Sequence, residues 1–257
     1  MSKALPWETT ESKGKVGYGV DEHRTILMLG VAGALSIFLG FFVSVFTFVS
    51  RPEYARLSLL IGPSVGFLIL SVAVALYWSS KLGKVREMEK VVGGVPWGGG
   101  EVVLDLGCGR GLAMVKAAKR LVEGYAVGVD LWQHSYLSGN DPRSIWANAR
   151  SEKVPDKVTA VKGLSRQLPF ANSSFDVVLS GVSIHHQGPK RARKELFAEM
   201  ARVLKDGGRV GILDAGNGPR YSELLREVGM SDIEIHRLRF SSFPPFHVVT
   251  ARKPYRG

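Results

Sequence analysis

Two short runs in this 257-residue chain hold residue types that could do chemistry. The first is Gly107-Cys108-Gly109-Arg110-Gly111, which follows the apolar run 101–106 and has Asp105 just ahead of it. Glycines let a turn be tight and let ligand atoms approach the backbone. A helix beginning after them points its unpaired N–H groups at an anionic group. Asp130, 19 residues after Gly111, ends a second apolar run, 125–130, where a carboxylate can accept hydrogen bonds from both hydroxyls of a ribose. The second chemical run is Ser183-Ile184-His185-His186. Histidine titrates in the range a general base needs, although two adjacent histidines in a loop are equally a surface pair. Asp214 closes a later apolar run and reads either as an alternative base or substrate contact, or as a helix cap.

No metal site is expected. Adjacent histidines rarely present both rings to one ion, and no third ligand is evident. Cys108 is the only cysteine, which excludes an intrachain disulfide and a cysteine-based zinc site and points to a reducing compartment.

These residues need elements to hold them. Strand, glycine turn and helix, the last with apolar spacing through Leu112, Val115, Ala118 and Leu121, is the geometry of a nucleotide-binding crossover. Taken alone it also suits an NAD-binding protein. The spacing here, however, is Gly-x-Gly-x-Gly with an acid ahead of it. The stretch Val103-Leu-Asp-Leu-Gly-Cys-Gly-Arg-Gly111 closely resembles motif I of class I S-adenosylmethionine (SAM)-dependent methyltransferases. Leu168-Pro169-Phe170 and the run 175–180 resemble the segment leading into that family's fourth strand, and 203–209 resembles the turn before its fifth. The resemblance covers nearly all of residues 101–257. It looks most like the ubiquinone and menaquinone methyltransferase branch, in particular membrane-anchored members with a two-helix N-terminus.

The resemblance implies a Rossmann-like α/β fold, a seven-stranded, mostly parallel sheet with helices on both faces, and SAM as cofactor. It assigns Gly107, Gly109 and Gly111, with Cys108 between them, to the methionine end of SAM and Asp105 to the site beneath it. Asp130 falls to the ribose, Leu131 to the adenine face, and Ser180 and Gly181 to the sulfonium side. Relatives carry an acid for the adenine amino group where Leu164 stands here, which leaves Ser165, Gln167 or a backbone carbonyl to replace it; the missing hydrogen bond contributes roughly 0.5–1.5 kcal/mol. Periodicity independently predicts strands near 102–106, 125–130, 157–161, 175–180, 208–214, 233–238 and 246–252, with helices between most of them.

Ahead of that domain lie 25 consecutive uncharged residues, 25–49, and another 24, 57–80. About 20 apolar residues cross a bilayer core, so two transmembrane helices, 25–49 and 57–78, are predicted, within a 25–80 hairpin joined by a tight connection at 51–56. A signal peptide is shorter and is not followed at once by a second span. Basic residues flank the hairpin on its shared side, and the positive-inside rule then places the N-terminal segment 1–24, both termini and the catalytic domain on the cytoplasmic side. Gly62 and Gly66 form a small-xxx-small pair that permits close helix approach. Residues 81–100 read as a short basic helix and a Gly/Pro/Trp linker ahead of the methyltransferase domain, 101–257.

Residues 101–257 hold 24 Lys and Arg against 16 Asp and Glu, an excess that suits nucleic acid or an anionic leaflet. With two spans present, the lipid bilayer is the expected partner and nucleic acid is not. Trp132, Gln133, His134, Tyr136 and Trp146 lie where a segment could cover a flat or lipid-like acceptor, or simply pack onto the sheet. The function implied is methyl transfer at the membrane surface to a small-molecule or lipid-like acceptor, quinone-like or a lipid headgroup. The alternative is a SAM-binding membrane scaffold without turnover, for which Leu164 is the hint.

Overall fold

The computed structural model describes residues 16–133, 137–186, 188–216, 218–237 and 243–255. Two long apolar helices, α1 (His23–Thr47) and α2 (Pro52–Trp78), run antiparallel as a hairpin. Their glycines let the backbones touch: a Cβ on Gly62 would lie 2.5 Å from Gly40 Cα, and one on Gly66 would lie 2.6 Å from the Gly33 carbonyl oxygen. Ser36 Oγ donates to the Gly62 carbonyl at 3.1 Å across the same seam. The outward faces carry large apolar side chains such as Leu35, Phe38, Phe46, Leu60 and Phe67. By length and composition both helices could cross a membrane.

The connection between them is shorter than 51–56. Pro52 does not exclude a helix here because it occupies the first turn, where its missing N–H costs nothing, so α2 begins five residues before the expected 57.

The segment expected to be a basic helix and linker, 81–100, is also different. A five-residue wider turn, Ser79–Gly83, carries α2 without a break into α3 (Lys84–Gly93). Met88, Val91 and Val92 of α3 are buried in the main core, so α3 packs as part of the sheet domain and only 94–100 connects it onward. Apolar residues at three- and four-residue spacing among charges made this an amphipathic helix with a face to bury.

The domain then alternates β1 (Val102–Leu106), α4 (Leu112–Ala118), β2 (Tyr125–Asp130), α5 (Arg143–Ser151), β3 (Val158–Lys162), β4 (Phe175–Gly181), α6 (Lys190–Val203), β5 (Leu204–Asp214), α7 (Gly218–Glu227), β6 (Ser231–Arg237) and β7 (His247–Arg252). The seven strands lie in the order β3-β2-β1-β4-β5-β7-β6, all parallel in their pairings except β7, which is antiparallel to β5 and β6. The expected strands are present; β5 starts four residues early because Leu204 pairs with Phe175 through a register shift. One core packs α3, α4 and α5 onto one sheet face through Met114, Val115, Ile145 and Trp146. The other packs α6 and α7 through Phe197, Met200, Tyr221 and Leu225. Strand order reverses between β1 and β4, so the crevice for a ligand opens at their carboxyl ends.

Candidate active site

That crevice is a cavity of about 340 Å³, a size suited to a small ligand. Its floor is the glycine loop. Gly109 has φ +51°, and a Cβ there would meet Leu137 Cδ2 at 2.8 Å, so the loop leaves just enough room for backbone. Its N–H donates to Asp130 Oδ2 at 2.8 Å, while the Trp132 N–H donates to Oδ1. Each Asp130 oxygen keeps a lone pair for a ribose hydroxyl at the mouth of the loop. Asp105 lies under the loop at 1% exposure. It accepts from the Met114 N–H at 3.0 Å, its Oδ1 has no partner among the described residues, and burial beside Asp130 pushes its pKa up to about 7. The Cys108 side chain turns away into the sheet against Gly128, and burial raises its thiol.

The residues that the resemblance assigns to the adenine side fall in the cavity wall. Leu131, Leu164 and Ser165 line the wall. Of the replacements considered for the missing acid, Gln167 is not in the wall, Ser165 is, and the Leu164 carbonyl accepts from the Gln167 N–H at 3.0 Å with one lone pair remaining. On the sulfonium side Gly181 lines the cavity but Ser180 does not. It is fully buried and donates to the Leu106 carbonyl, as Ser183 does from within the wall.

The two histidines separate. His186 is in the cavity wall. Burial, then the neighbouring His185, lowers its pKa, so it stands ready to accept a proton at neutral pH. Glu22 Oε1 lies 3.6 Å from its Nε2. His185 is outside the wall, its Nδ1 2.9 Å from Asp214 Oδ1. Burial opposes charging His185, but the hydrogen bond and charge of Asp214 outweigh it and raise its pKa. The rings lie 3.8 Å apart between centroids, so His185 serves as a shelf for His186.

Asp214, the alternative base, lies outside the cavity wall. It is 0% exposed and accepts from the Ile184 and Gly216 N–H groups and the Tyr221 hydroxyl besides facing His185. It pins the loop that carries both histidines. Trp132 and Trp146 are likewise buried instead of covering an acceptor, Trp132 donating from Nε1 to the Gly109 carbonyl. Gln133 does line the wall, and His134 and Tyr136 lie outside the described residues.

The wall residues that escaped the sequence reading include Tyr18, Asp21 and Lys84. The strand-like strap Gly17–Asp21 pairs with Leu137 and Ser138 above the glycine loop, with hydrogen bonds both ways between Val20 and Ser138. Asp21 Oδ2 then accepts from Lys84 Nζ at 2.8 Å and from Ser80 Oγ at 2.9 Å. Lys84 is 4% exposed in its side chain and Asp21 19%, so this is a largely buried ion pair at the root of the hairpin. The only available hint was Gly17 and Gly19 flanking Tyr18, a spacing that favours positive φ; both glycines adopt it.

Residues 104–212 match the family described as a methyltransferase domain. Among curated proteins the chain is 27% identical over 170 residues to a 27-O-demethylrifamycin SV methyltransferase of Amycolatopsis mediterranei, covering 62% of this chain and 59% of that one. It is 33% identical over 118 residues to a U6 snRNA (guanine-N(2))-methyltransferase of Bos taurus, covering 44% of this chain and 22% of that one. The chain therefore spans less than two thirds of either relative. Among solved structures it is similar to a Burkholderia thailandensis 1,6-didemethyltoxoflavin-N1-methyltransferase, with a TM-score of 0.54 at 23% identity over 69% of this chain and 81% of that one, which shows the shared fold. The cradle of Gly109, Asp130 and Leu131 fits S-adenosylmethionine, the cofactor that the resemblance of the glycine motif implies.

Proposed function

We propose that this chain, whose residues 104–212 form a methyltransferase domain, is a SAM-dependent methyltransferase acting at a membrane surface on a small or lipid-soluble acceptor, quinone-like or a lipid headgroup. One observation carries the acceptor reading. The wall that holds the cofactor cradle also holds Tyr18, Asp21 and Lys84, within a few residues of the ends of two apolar helices. A cavity built from the root of a membrane hairpin meets molecules concentrated in that layer.

The cofactor supplies, when bound, a methyl carbon made electrophilic by a sulfonium. The chain's own task is alignment and proton handling. The glycine loop, whose backbone leaves room for close approach, and the Asp130 carboxylate would hold the methionine and nucleoside ends. The strap and Leu137 exclude water above the loop. His186, held against its shelf, takes the proton of an acceptor hydroxyl or amine. With both termini of the hairpin on the side of its flanking basic residues, the domain faces the cytoplasm.

The test is calorimetric binding of SAM and S-adenosylhomocysteine to the detergent-solubilised full chain, with Asp130→Ala as control, followed by transfer of labelled methyl to membrane extracts and, separately, to RNA. Binding lost in the variant and label in the lipid fraction is the expected result. A folded chain that binds neither cofactor form would refute the reading, and label in RNA would replace the acceptor. Binding without transfer would favour a scaffold, the second reading that Leu164 in the wall supports.

A further inference from the structure

The β6–β7 connection touches the hairpin at a defined point. The Phe243 N–H donates to Ser79 Oγ at 3.0 Å, and Ser79 is the first residue beyond α2. Three residues on, Phe246 is buried in the core at 4% exposure. Phe243 is thus held from both sides, yet its side chain is left 48% exposed. Trp78 at 56% and Leu82 at 54% are exposed beside it along the helical run, and so are Lys81 and Arg86. An exposed phenylalanine by itself is ordinary. Exposed aromatic and aliphatic side chains on, and bonded through the backbone to, the end of a long apolar helix, with cations interspersed, have the composition of an interfacial lipid contact.

We propose that Phe243, Leu82 and Trp78 form a patch through which the methyltransferase domain itself rests on the bilayer, with Lys81 and Arg86 meeting anionic headgroups. The inference rests on the membrane reading of the hairpin. Its occupant is the lipid surface, because the patch is continuous with the apolar surface of α2 and its charge is complementary to an anionic leaflet. The consequence is orientation. The continuous helical run from α2 into α3 joins the domain to the hairpin at one edge, and a second contact on the β6–β7 side holds the cavity wall formed by Tyr18, Asp21 and Lys84 toward the headgroup layer.

Cys108, the chain's single cysteine, is buried, so cysteines placed elsewhere label selectively. The full chain is reconstituted in nanodiscs of phosphatidylcholine and phosphatidylglycerol, with an environment-sensitive dye at Phe243→Cys, at Leu35→Cys within α1, or at Val122→Cys. Val122, 76% exposed, precedes β2 at the opposite end of the sheet. Each variant is first shown to unfold at the temperature of the unsubstituted chain. Lipids carrying quenchers near the headgroup and deep in the acyl region then report contact. Quenching of the Phe243 dye by the headgroup quencher, of the Leu35 dye by the deep quencher, and of the Val122 dye by neither is the expected pattern. A Phe243 dye that behaves like the Val122 dye while Leu35 is quenched would overturn the patch and leave the hairpin in the membrane. An unquenched Leu35 dye would overturn the membrane reading and the patch with it.

Discussion

The two histidines illustrate how position separates identical side chains. His186 has a lowered pKa, so its neutral form dominates at neutral pH and is lost only as pH falls through that lowered value. Transfer should therefore be flat from about pH 7 upward and fall on acidification below about 6.5, the ordinary histidine value. His186→Ala should cost on the order of 10²–10⁴ in kcat and leave S-adenosylhomocysteine affinity intact, whereas His185→Ala should cost less. The pH–rate profile and binding calorimetry check both. Asp105 makes an opposite, structural prediction. Its folded pKa of about 7 lies above the unfolded carboxylate value near 3.9, so the folded state binds more protons between these limits and this group's contribution falls as pH rises through them. Asp105→Asn should flatten that slope of stability between about pH 4 and pH 7, read by denaturant unfolding at stepped pH. Both histidines and Asp105 were legible as residue types. Which histidine faces the cavity was not, because adjacent residues in a loop diverge according to what pins them, and the Asp214 that pins His185 lies 29 residues along the chain at the end of β5.

Among the elements, the helices that join hairpin and domain departed most from expectation. Residues 84–93 read as polar and basic, yet Met88, Val91 and Val92 place one face of α3 in the core. The wider turn Ser79–Gly83 adds a residue to the helical repeat and re-aims that face from the hairpin axis toward the sheet. Within the hairpin, the pair Gly62 and Gly66 was visible from its spacing, but its partners Gly40 and Gly33, seven residues apart, were not, since only the crossing of the helices brings them opposite. Gly62→Leu should force α1 and α2 apart, because its Cβ alone meets Gly40 Cα at 2.5 Å. The expected outcome is a lower thermal midpoint for the full chain in detergent, with the equally conservative Gly30→Leu, whose Cβ has open space, leaving it unchanged.

At the scale of the whole molecule, the segments flanking the hairpin are part of the cavity wall. The strap leading into α1 and the helix leaving α2 are joined by Asp21 and Lys84 above the glycine loop. A fragment beginning after α2 should therefore bind S-adenosylhomocysteine at least about tenfold more weakly than the full chain, although every motif residue is retained. Asp21→Asn and Lys84→Met should each weaken binding in the same direction, since removing one partner leaves the other buried and poorly paired. The exchanged pair Asp21→Lys with Lys84→Asp should recover part of the loss, measured by calorimetry on the detergent-solubilised full chain.

The sequence by itself determined what is local. Glycine spacing, the acid at the end of a strand, the alternation of strands and helices, and runs long enough to span a bilayer all follow from neighbours a few residues apart, where backbone sterics and periodicity act. Tertiary structure decided what depends on residues meeting across the chain. The strap bonds to Ser138, Asn148 and Lys84, more than 60 positions away, and these meetings make Tyr18 and Asp21 part of the site. Burial also makes Asp214 a support, because its carboxylate is enclosed by the Ile184, His185 and Gly216 N–H groups, the His185 ring and the Tyr221 hydroxyl. No pattern along the chain carries that information, since the cost of burying a charge depends on partners that only the fold supplies.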